Sequence, residues 1–436
     1  MKSLMNRNRQ FSDPNRNLAP RGLGVITALA TLAACGLLGG CAVASSSMPR
    51  SASGAGSASA AGCADGSSSS SSSGGAAPLQ AIQFTDQDHG WAAGAGQILA
   101  TTDGGRTWTR QYAGPAALGQ LDFVNTADGW AVGTRALLRT TDGGASWTAL
   151  SGPRLHGQCL SASSVHFVSP VLGYAVTGST GTGSTGAGST GAGSTGAAAG
   201  QLLRTTDGGA SWQPVTGAPA GALAVCFSTA RDGYLGAPGR IWRTTDAGAA
   251  WSQAFTEPPA SAADQAAGGQ APARTAGDTP ELGCAAHGAA WVLFLGSGTA
   301  MMHAPYLAYA TQDGTSWHGV LEEPMLESAI RPKLHLPAGP GSEPGPFSVI
   351  SPGAAAFVGY TPPANGWGAA PLVVATNGGA VLRSAGDIPA INEPLAAAFL
   401  TPAQGWVVGE NLKAHTFSIE ATTDAGHTWT TQYTAS

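Results

Sequence analysis

Charge is scarce in this chain. Only 10% of its residues are Asp, Glu, Lys or Arg, and the formal net charge is −5. No basic stripe is present, which argues against nucleic acid as a partner. A mild, dispersed negative charge gives no reason to expect binding to anionic surfaces. Cys-x-x-Cys and zinc-type Cys/His spacings are missing, so no metal site is expected. Gly-x-Ser-x-Gly and the phosphate-binding loop are missing as well, and no cofactor is expected. Charged and Leu-rich helical segments are rare. In their place stand short runs of Val, Leu, Phe and Trp, broken by Pro, Asp and the 64 glycines. That is the pattern of strands and turns.

The N-terminus reads as a targeting segment. Lys2, Arg7, Arg9, Arg16 and Arg21 precede the apolar run GLGVITALATLAACGLLGGCAVA. The positive flank, small residues and polar sequel favour an export signal over a transmembrane helix. LAAC ending at Cys35 and LGGC ending at Cys41 both resemble a lipobox, so lipidation is expected at Cys35 or Cys41. The expected organisation is a signal peptide over 1–41, a Ser/Gly-rich flexible tether over 42–78 and a folded domain over 79–436. The expected location is the outer side of the cytoplasmic membrane. Disulfides are permitted there. Cys63 lies in the tether, leaving Cys159, Cys226 and Cys284 as possible disulfide cysteines whose pairing spacing does not fix.

The folded domain is repetitive. TTDGGASW occurs at 140–147 and 205–212, with close copies at 101–108, 244–251 and 422–429. An aromatic, usually after Gly, stands upstream: Trp91, Trp130, Tyr174, Tyr234, Trp291, Trp367 and Trp406. From aromatic to boxed Asp is 12 residues in units one, two and four, and 33 in unit three. The low-complexity insert 178–197 fills the surplus and suits a hairpin tip. Unit two reads as four strands, LDFV, GWAVG, ALLRT and SWTAL. Four strands per unit of about 40 residues make a β-propeller blade. Units five and six are degraded, at TQDGTSW (311–317) and TNGGAVL (376–382). Aligned on Trp317, Gln312 takes the Asp place and Asp313 that of the first Gly. The expected fold is all-β: a seven-bladed β-propeller of four-stranded antiparallel blades, with blades five and six degenerate.

The phrase has a structural logic. Asp at the start of a tight turn accepts unpaired backbone N–H groups. Gly supplies positive φ. Trp, five residues after Asp, packs beneath the turn. The phrase therefore reads as a self-contained hairpin clamp built from Asp103, Gly105 and Trp108; Asp142, Gly144 and Trp147; Asp207, Gly209 and Trp212; Asp246, Gly248 and Trp251; and Asp424, Gly426 and Trp429. A catalytic site would be single and asymmetric, whereas this one recurs.

The motif S/T-x-D-x-G-x-x-W resembles the Asp-box, or bacterial neuraminidase repeat. FVNTADGWAVG with LLRTTDGGASW is similar to the repeat of the photosystem II stability and assembly factor family, over about 79–436. That resemblance implies a seven-bladed, membrane-associated propeller that binds assembling membrane-protein subunits without catalysis. Family members in photosynthetic organisms use a basic patch. Here Arg139, Arg204 and Arg243 recur three residues before the boxed Asp, a candidate partner-binding ridge. A solvated strand position is the preferred reading of the three. Nothing in the residues points to chlorophyll or photosynthesis.

Asp-boxes also occur in sialidases and xyloglucan hydrolases, so glycan binding or glycoside hydrolysis is the runner-up. The Arg-Ile-Pro element of sialidases is absent, and no Tyr-Glu constellation stands apart from the repeat. A hydrolase using two carboxylates is harder to dismiss. Asp86, Asp88, Asp122, Asp128, Asp232 and Glu410 lie near first strands, with His89 and His166 in similar regions. Asp128 and Asp232 precede Gly-aromatic markers and suit turns. The linker 260–280 has disorder-like composition, and the insert 318–348 carries Glu322, Glu323 and Glu327. The reading favours a non-catalytic, monomeric, protein-binding scaffold for a membrane or envelope complex over an enzyme.

Overall fold

The computed structural model describes residues 78–133, 136–151, 154–155, 158–159, 162–177, 200–258, 278–296, 304–323, 336–360 and 368–436. The signal region, the tether with Cys63, both lipobox cysteines, the insert 178–197 and most of the linker 260–280 lie outside them. The stretch 318–348 begins and ends inside strands, with 324–335 outside the described residues.

The described strands form six blade sheets, all antiparallel. The first has six strands: β1 (Leu79–Phe84), β2 (Gly90–Thr101), β3 (Thr109–Phe123), β4 (Gly129–Gly133), β5 (Leu137–Thr140) and β6 (Thr148–Leu150). A two-residue hairpin follows, β7 (Arg154–Leu155) with β8 (Gln158–Cys159). The second sheet holds β9 (Ala162–Phe167), β10 (Gly173–Thr177), β11 (Gln201–Thr205) and β12 (Gln213–Pro214). The third holds β13 (Ala224–Phe227), β14 (Gly233–Ala237), β15 (Arg240–Thr244) and β16 (Ser252–Thr256). The fourth holds β17 (Thr279–Cys284), β18 (Ala290–Leu295), β19 (Tyr306–Thr311) and β20 (Trp317–Glu322). The fifth holds β21 (Glu343–Ser351), β22 (Ala354–Tyr360), β23 (Ala370–Thr376) and β24 (Val381–Ile388). The sixth holds β25 (Glu393–Phe399), β26 (Gly405–Asn411), β27 (Thr416–Thr422) and β28 (Thr430–Ala435).

The expected count of seven blades is therefore corrected to six. The cause is β3, which runs unbroken for 15 residues. Its first part pairs with β2 through Ala117, and its last part, from Leu118, pairs with β4. Repeat units one and two consequently share one sheet. The degraded units five and six still build complete four-stranded sheets, the fourth and fifth. A second correction concerns unit six. Its second strand is β22, so Gly366 and Trp367 fall after that strand, outside the described residues, and do not open it as the marker does elsewhere.

First strands contact one another in the cyclic order β1, β3, β9, β13, β17, β21, β25 and back to β1. They line the ring axis, the first sheet contributing two of them. Second strands such as GWAVG and GYAVT are buried almost throughout, so they read as continuous apolar runs. Fourth strands such as Thr148–Leu150 are mostly exposed. The core consists of one cluster inside the first sheet and others between neighbouring sheets, one of which joins Leu79 and Phe84 to Trp406 and Ile419. The C-terminal sheet contains only C-terminal strands, so the ring closes by packing, without strand exchange.

One packing rule recurs. The last Phe of the first strand stacks on the marker aromatic of the preceding unit: Phe84 on Trp406 at 3.5 Å, Phe123 on Trp91 at 3.7 Å, Phe167 on Trp130 at 3.5 Å and Phe227 on Tyr174 at 3.8 Å. The edge of its own unit's box Trp meets the same Phe, at 6.0 Å for Phe84 with Trp108 and Phe123 with Trp147. Each such pair adds about 0.5–1.5 kcal/mol beyond area burial. The Gly before each marker makes room, since a Cβ at Gly90, Gly129, Gly173, Gly233 or Gly405 would lie 2.2–2.5 Å from its own unit's Phe ring.

Phe167 is 2% exposed. Phe167→Ala should cost about 3–5 kcal/mol in urea unfolding. Val171→Ala, at a side chain 53% exposed, should stay within about 0.5 kcal/mol. Equal effects would contradict the packing rule.

Candidate functional site

The boxes come first, since they dominate the sequence. Asp142 accepts bonds from Thr140 Oγ1 at 2.8 Å, Ser146 N at 2.9 Å and Ser146 Oγ at 2.6 Å. Thr140 Oγ1 in turn accepts the Gly144 N–H at 2.7 Å. Asp103, Asp207 and Asp424 repeat this set with Thr107, Ser211 and Thr428. Asp246 has one bond fewer, because Ala250 supplies only its N–H. Asp313 does the same job in unit five, accepting from Thr311 Oγ1, Thr315 N and Ser316 N. The sequence reading gave that place to Gln312. Aligning on Thr311, two residues before the Asp as in every box, is the signal that finds Asp313. The hydroxyl and amide donors on residue 107, 146 or 428 hold the carboxyls of Asp103, Asp142 and Asp424 at about 2.

The clamp is not self-contained, which corrects the expectation. The marker of one unit bonds the box of the next. Trp91 Nε1 donates to Gly143 O at 2.9 Å, Trp130 Nε1 to Gly208 O at 2.9 Å and Tyr174 Oη to Ala247 O at 3.2 Å. Trp406 Nε1 donates to Gly104 O at 3.3 Å, joining the last sheet to the first. Trp212 and Trp251 also close their own turns, through Gly209 O and Gly248 O.

The recurring arginines share a register, each paired across strands with its marker: Arg139 with Trp130, Arg204 with Tyr174, Arg243 with Tyr234. All three are half-buried. Arg139 lies 5.5 Å over the Trp130 ring and donates to Pro170 O; Arg243 lies 5.9 Å over Tyr234 and donates to Asp313 O. Both guanidinium groups thus bridge repeat units.

The axial wall carries the polar groups that the repeat does not explain. Gln83 bonds both N and O of Phe123, and Gln120 both N and O of Val165. Asp122 accepts Phe167 N at 2.5 Å, and its buried carboxyl is raised by desolvation while His166, 4.0 Å away, opposes the shift. His166 Nε2 faces Phe227 O at 2.8 Å and therefore carries a proton. Asp86 caps its own turn and bonds His89. Gln83, Gln120, Asp122 and His166 cap the edges of neighbouring first strands. Glu281 differs. It has no hydrogen-bond partner among the described residues, and burial alone pushes its carboxyl up to about 7. Three further carboxyls gather at the starts of β21 and β25 and the end of β26. Glu393 is raised by burial, then by Glu410 and Glu343. No grouping of His, Cys, Asp and Glu among the described residues suits a metal ion.

Cys226 and Cys284 form a disulfide, with S–S 2.07 Å. Cys159 falls in β8, and its side chain is outside those described.

A family model described as Photosynthesis system II assembly factor YCF48 matches residues 75–168, well under half of the chain. No curated protein matches. Among solved structures, the GH74 enzyme of Niastella koreensis aligns with TM-score 0.52 and 15% identity over 81% of this chain and 54% of that one. The GH74 xyloglucanase of Xanthomonas campestris aligns with TM-score 0.50 and 13% identity over 82% and 55%. This chain thus spans about half the length of those enzymes. A structure titled "YCF48 bound to D1 peptide" aligns with TM-score 0.47 and 17% identity over 77% and 89%. At these identities the two GH74 likenesses describe the fold alone.

Two titrations follow. A carboxyl held at about 2 stabilises the fold fully above its ordinary 3.8, and that stability is lost as pH falls through about 2. The Asp103→Asn/Asp142→Asn/Asp424→Asn protein should melt lower at pH about 6 and show a flatter acid limb by circular dichroism. Glu281 has the opposite sign: its contribution is present below the ordinary 4.5 and lost as pH rises through about 7. Glu281→Gln should leave the melting temperature unchanged near pH 4 and raise it near pH 8. A fall at both pH values would show that the carboxylate is bonded.

Proposed function

We propose that this protein is an exported lipoprotein, anchored through Cys35 or Cys41, whose propeller is a non-catalytic scaffold for a protein of a membrane or envelope complex. The observation that carries the reading is the match of residues 75–168 to a family described as an assembly factor. The geometry agrees with it. The boxed carboxylates are consumed by turn donors, and Arg139 and Arg243 by bridges between units. The repeated polar residues therefore build a rigid ring and leave recognition to what does not repeat.

A second reading, glycan binding or hydrolysis, is favoured by Glu343, Glu393 and Glu410. These three carboxyls come from two neighbouring sheets, and the raised Glu393 is the kind of group that donates a proton to a glycosidic oxygen.

In-cell crosslinking of the full-length protein, followed by mass spectrometry, separates the two readings. A recurrent membrane-protein partner is expected, with crosslinks lost when Cys35 and Cys41 are both replaced by Ser. Capture of glycan-rich material alone, together with release of sugars from xyloglucan that stops in Glu393→Gln, would replace the scaffold reading with the second.

A further inference from the structure

The aromatic stack between units is missing after two markers, Tyr234 and Trp291; Trp291 donates its indole N–H to Ser351 O, while the Tyr234 junction holds a covalent link. Phe84, Phe123, Phe167 and Phe227 each pair across strands with a Gly that opens the second strand; Phe227, for example, pairs with Gly233. In the fourth sheet the residue in this register is Cys284, paired with Ala290. The Tyr234 ring therefore has no Phe to stack on. It meets Trp317 edge-on at 5.9 Å and donates its hydroxyl to Gly288 O at 2.6 Å. The residue before the Phe is the one that reaches the next first strand in other units, as Gln83 and Asp122 do. In the third sheet that residue is Cys226, and it is bonded to Cys284. A covalent link thus occupies both positions that elsewhere hold a stacked ring and a side-chain cap. Cys226 is 3% exposed and Cys284 half-buried, so an external thiol meets Cys284 first.

We propose that the Cys226–Cys284 bond is a redox-sensitive latch that closes the ring between the third and fourth sheets in place of the aromatic stack. Opening is thiol–disulfide exchange with an external dithiol. A dithiol thiolate attacks Sγ of Cys284 and expels Cys226 as thiolate. The second dithiol sulfur then displaces Cys284, leaving two protein thiols and an oxidised dithiol. Two electrons pass from the dithiol to the protein. The reverse exchange, with an oxidised dithiol, closes the latch.

The test is hydrogen exchange of the full chain with and without dithiothreitol. On reduction, amides in β13 and β17 should exchange at least about tenfold faster, while those at 118–123 in β3 stay protected. The melting temperature should fall by about 5 °C. Cys226→Ala/Cys284→Phe/Ala290→Gly restores the ring in the vacant register, with the Gly opposite it that the other units have. It should regain protection in β13 and β17 and lose all dependence on reductant, whereas Cys226→Ala/Cys284→Ala stays labile. Unchanged exchange on reduction, or equal changes at every junction, would overturn the latch. A Phe variant as labile as the Ala pair would overturn the claim that the bond replaces the stack.

Discussion

One ring contact organises the molecule: the Phe that ends a first strand lies between the marker aromatic of the preceding unit and the Trp of its own box. Such a ring fits only if the residue opposite it has no side chain. That is why Gly precedes the marker, and why six residues separate Phe167 from Gly173 as they separate Phe84 from Gly90. The box Trp, the Gly and the marker are therefore parts of a single device spread over two units. Flat sheets slide easily against one another; interlocked rings at 3.5–3.8 Å with indole N–H groups bonded across the gap do not.

The boxes answer a backbone problem. A turn between third and fourth strands exposes amides, and the Asp with its Thr two residues earlier accepts them. Once the turn is fixed, its carbonyl has a fixed position, and the neighbouring indole or phenol can bond it. Local satisfaction thus makes the long-range contact possible. The same arrangement closes the ring, since Trp406 reaches Gly104 across nearly the whole chain. A propeller closed this way needs no shared sheet between its termini.

The sequence exposed whatever was local. Strand positions in unit two, the turn chemistry of Asp142 and the all-β class were legible because each depends on residues a few places apart. Features that depend on two units at once were not. The blade count failed because β3 passes through Gly114, Pro115 and Gly119 without a break, and turn residues alone do not say whether a chain stops pairing. The clamp looked self-contained because the partner of Gly143 O is Trp91, 52 residues away. Arg139 looked like a solvated position because Pro170, which it bonds, belongs to the next sheet. Asp313 was misplaced by trusting the aromatic end of the box over its Thr end. Cys284 is legible only when its place in the Phe register is known.

Regularity also locates the part that does something else. Units one to four obey the stacking rule at every junction, so their residues are explained by closure of the ring. Irregularity starts where Cys284 replaces Phe and continues through the fourth and fifth sheets, and the sixth returns to the rule with Phe399, Gly405 and the Trp406–Phe84 stack. The fourth sheet holds Glu281 with no hydrogen-bond partner among the described residues, and Glu343, Glu393 and Glu410 gather between the fifth and sixth. The carboxyls of Glu281 and Glu393, both raised first by burial, work against folding at neutral pH. Gln83 and Gln120, which bond both N and O of a neighbouring first strand, stabilise the ring; Glu281 and Glu393 do not. Neither of these two owes its shift to the turns, stacks and bridges that close the ring; burial leads in both. The units that obey the stacking rule are therefore the frame of the ring.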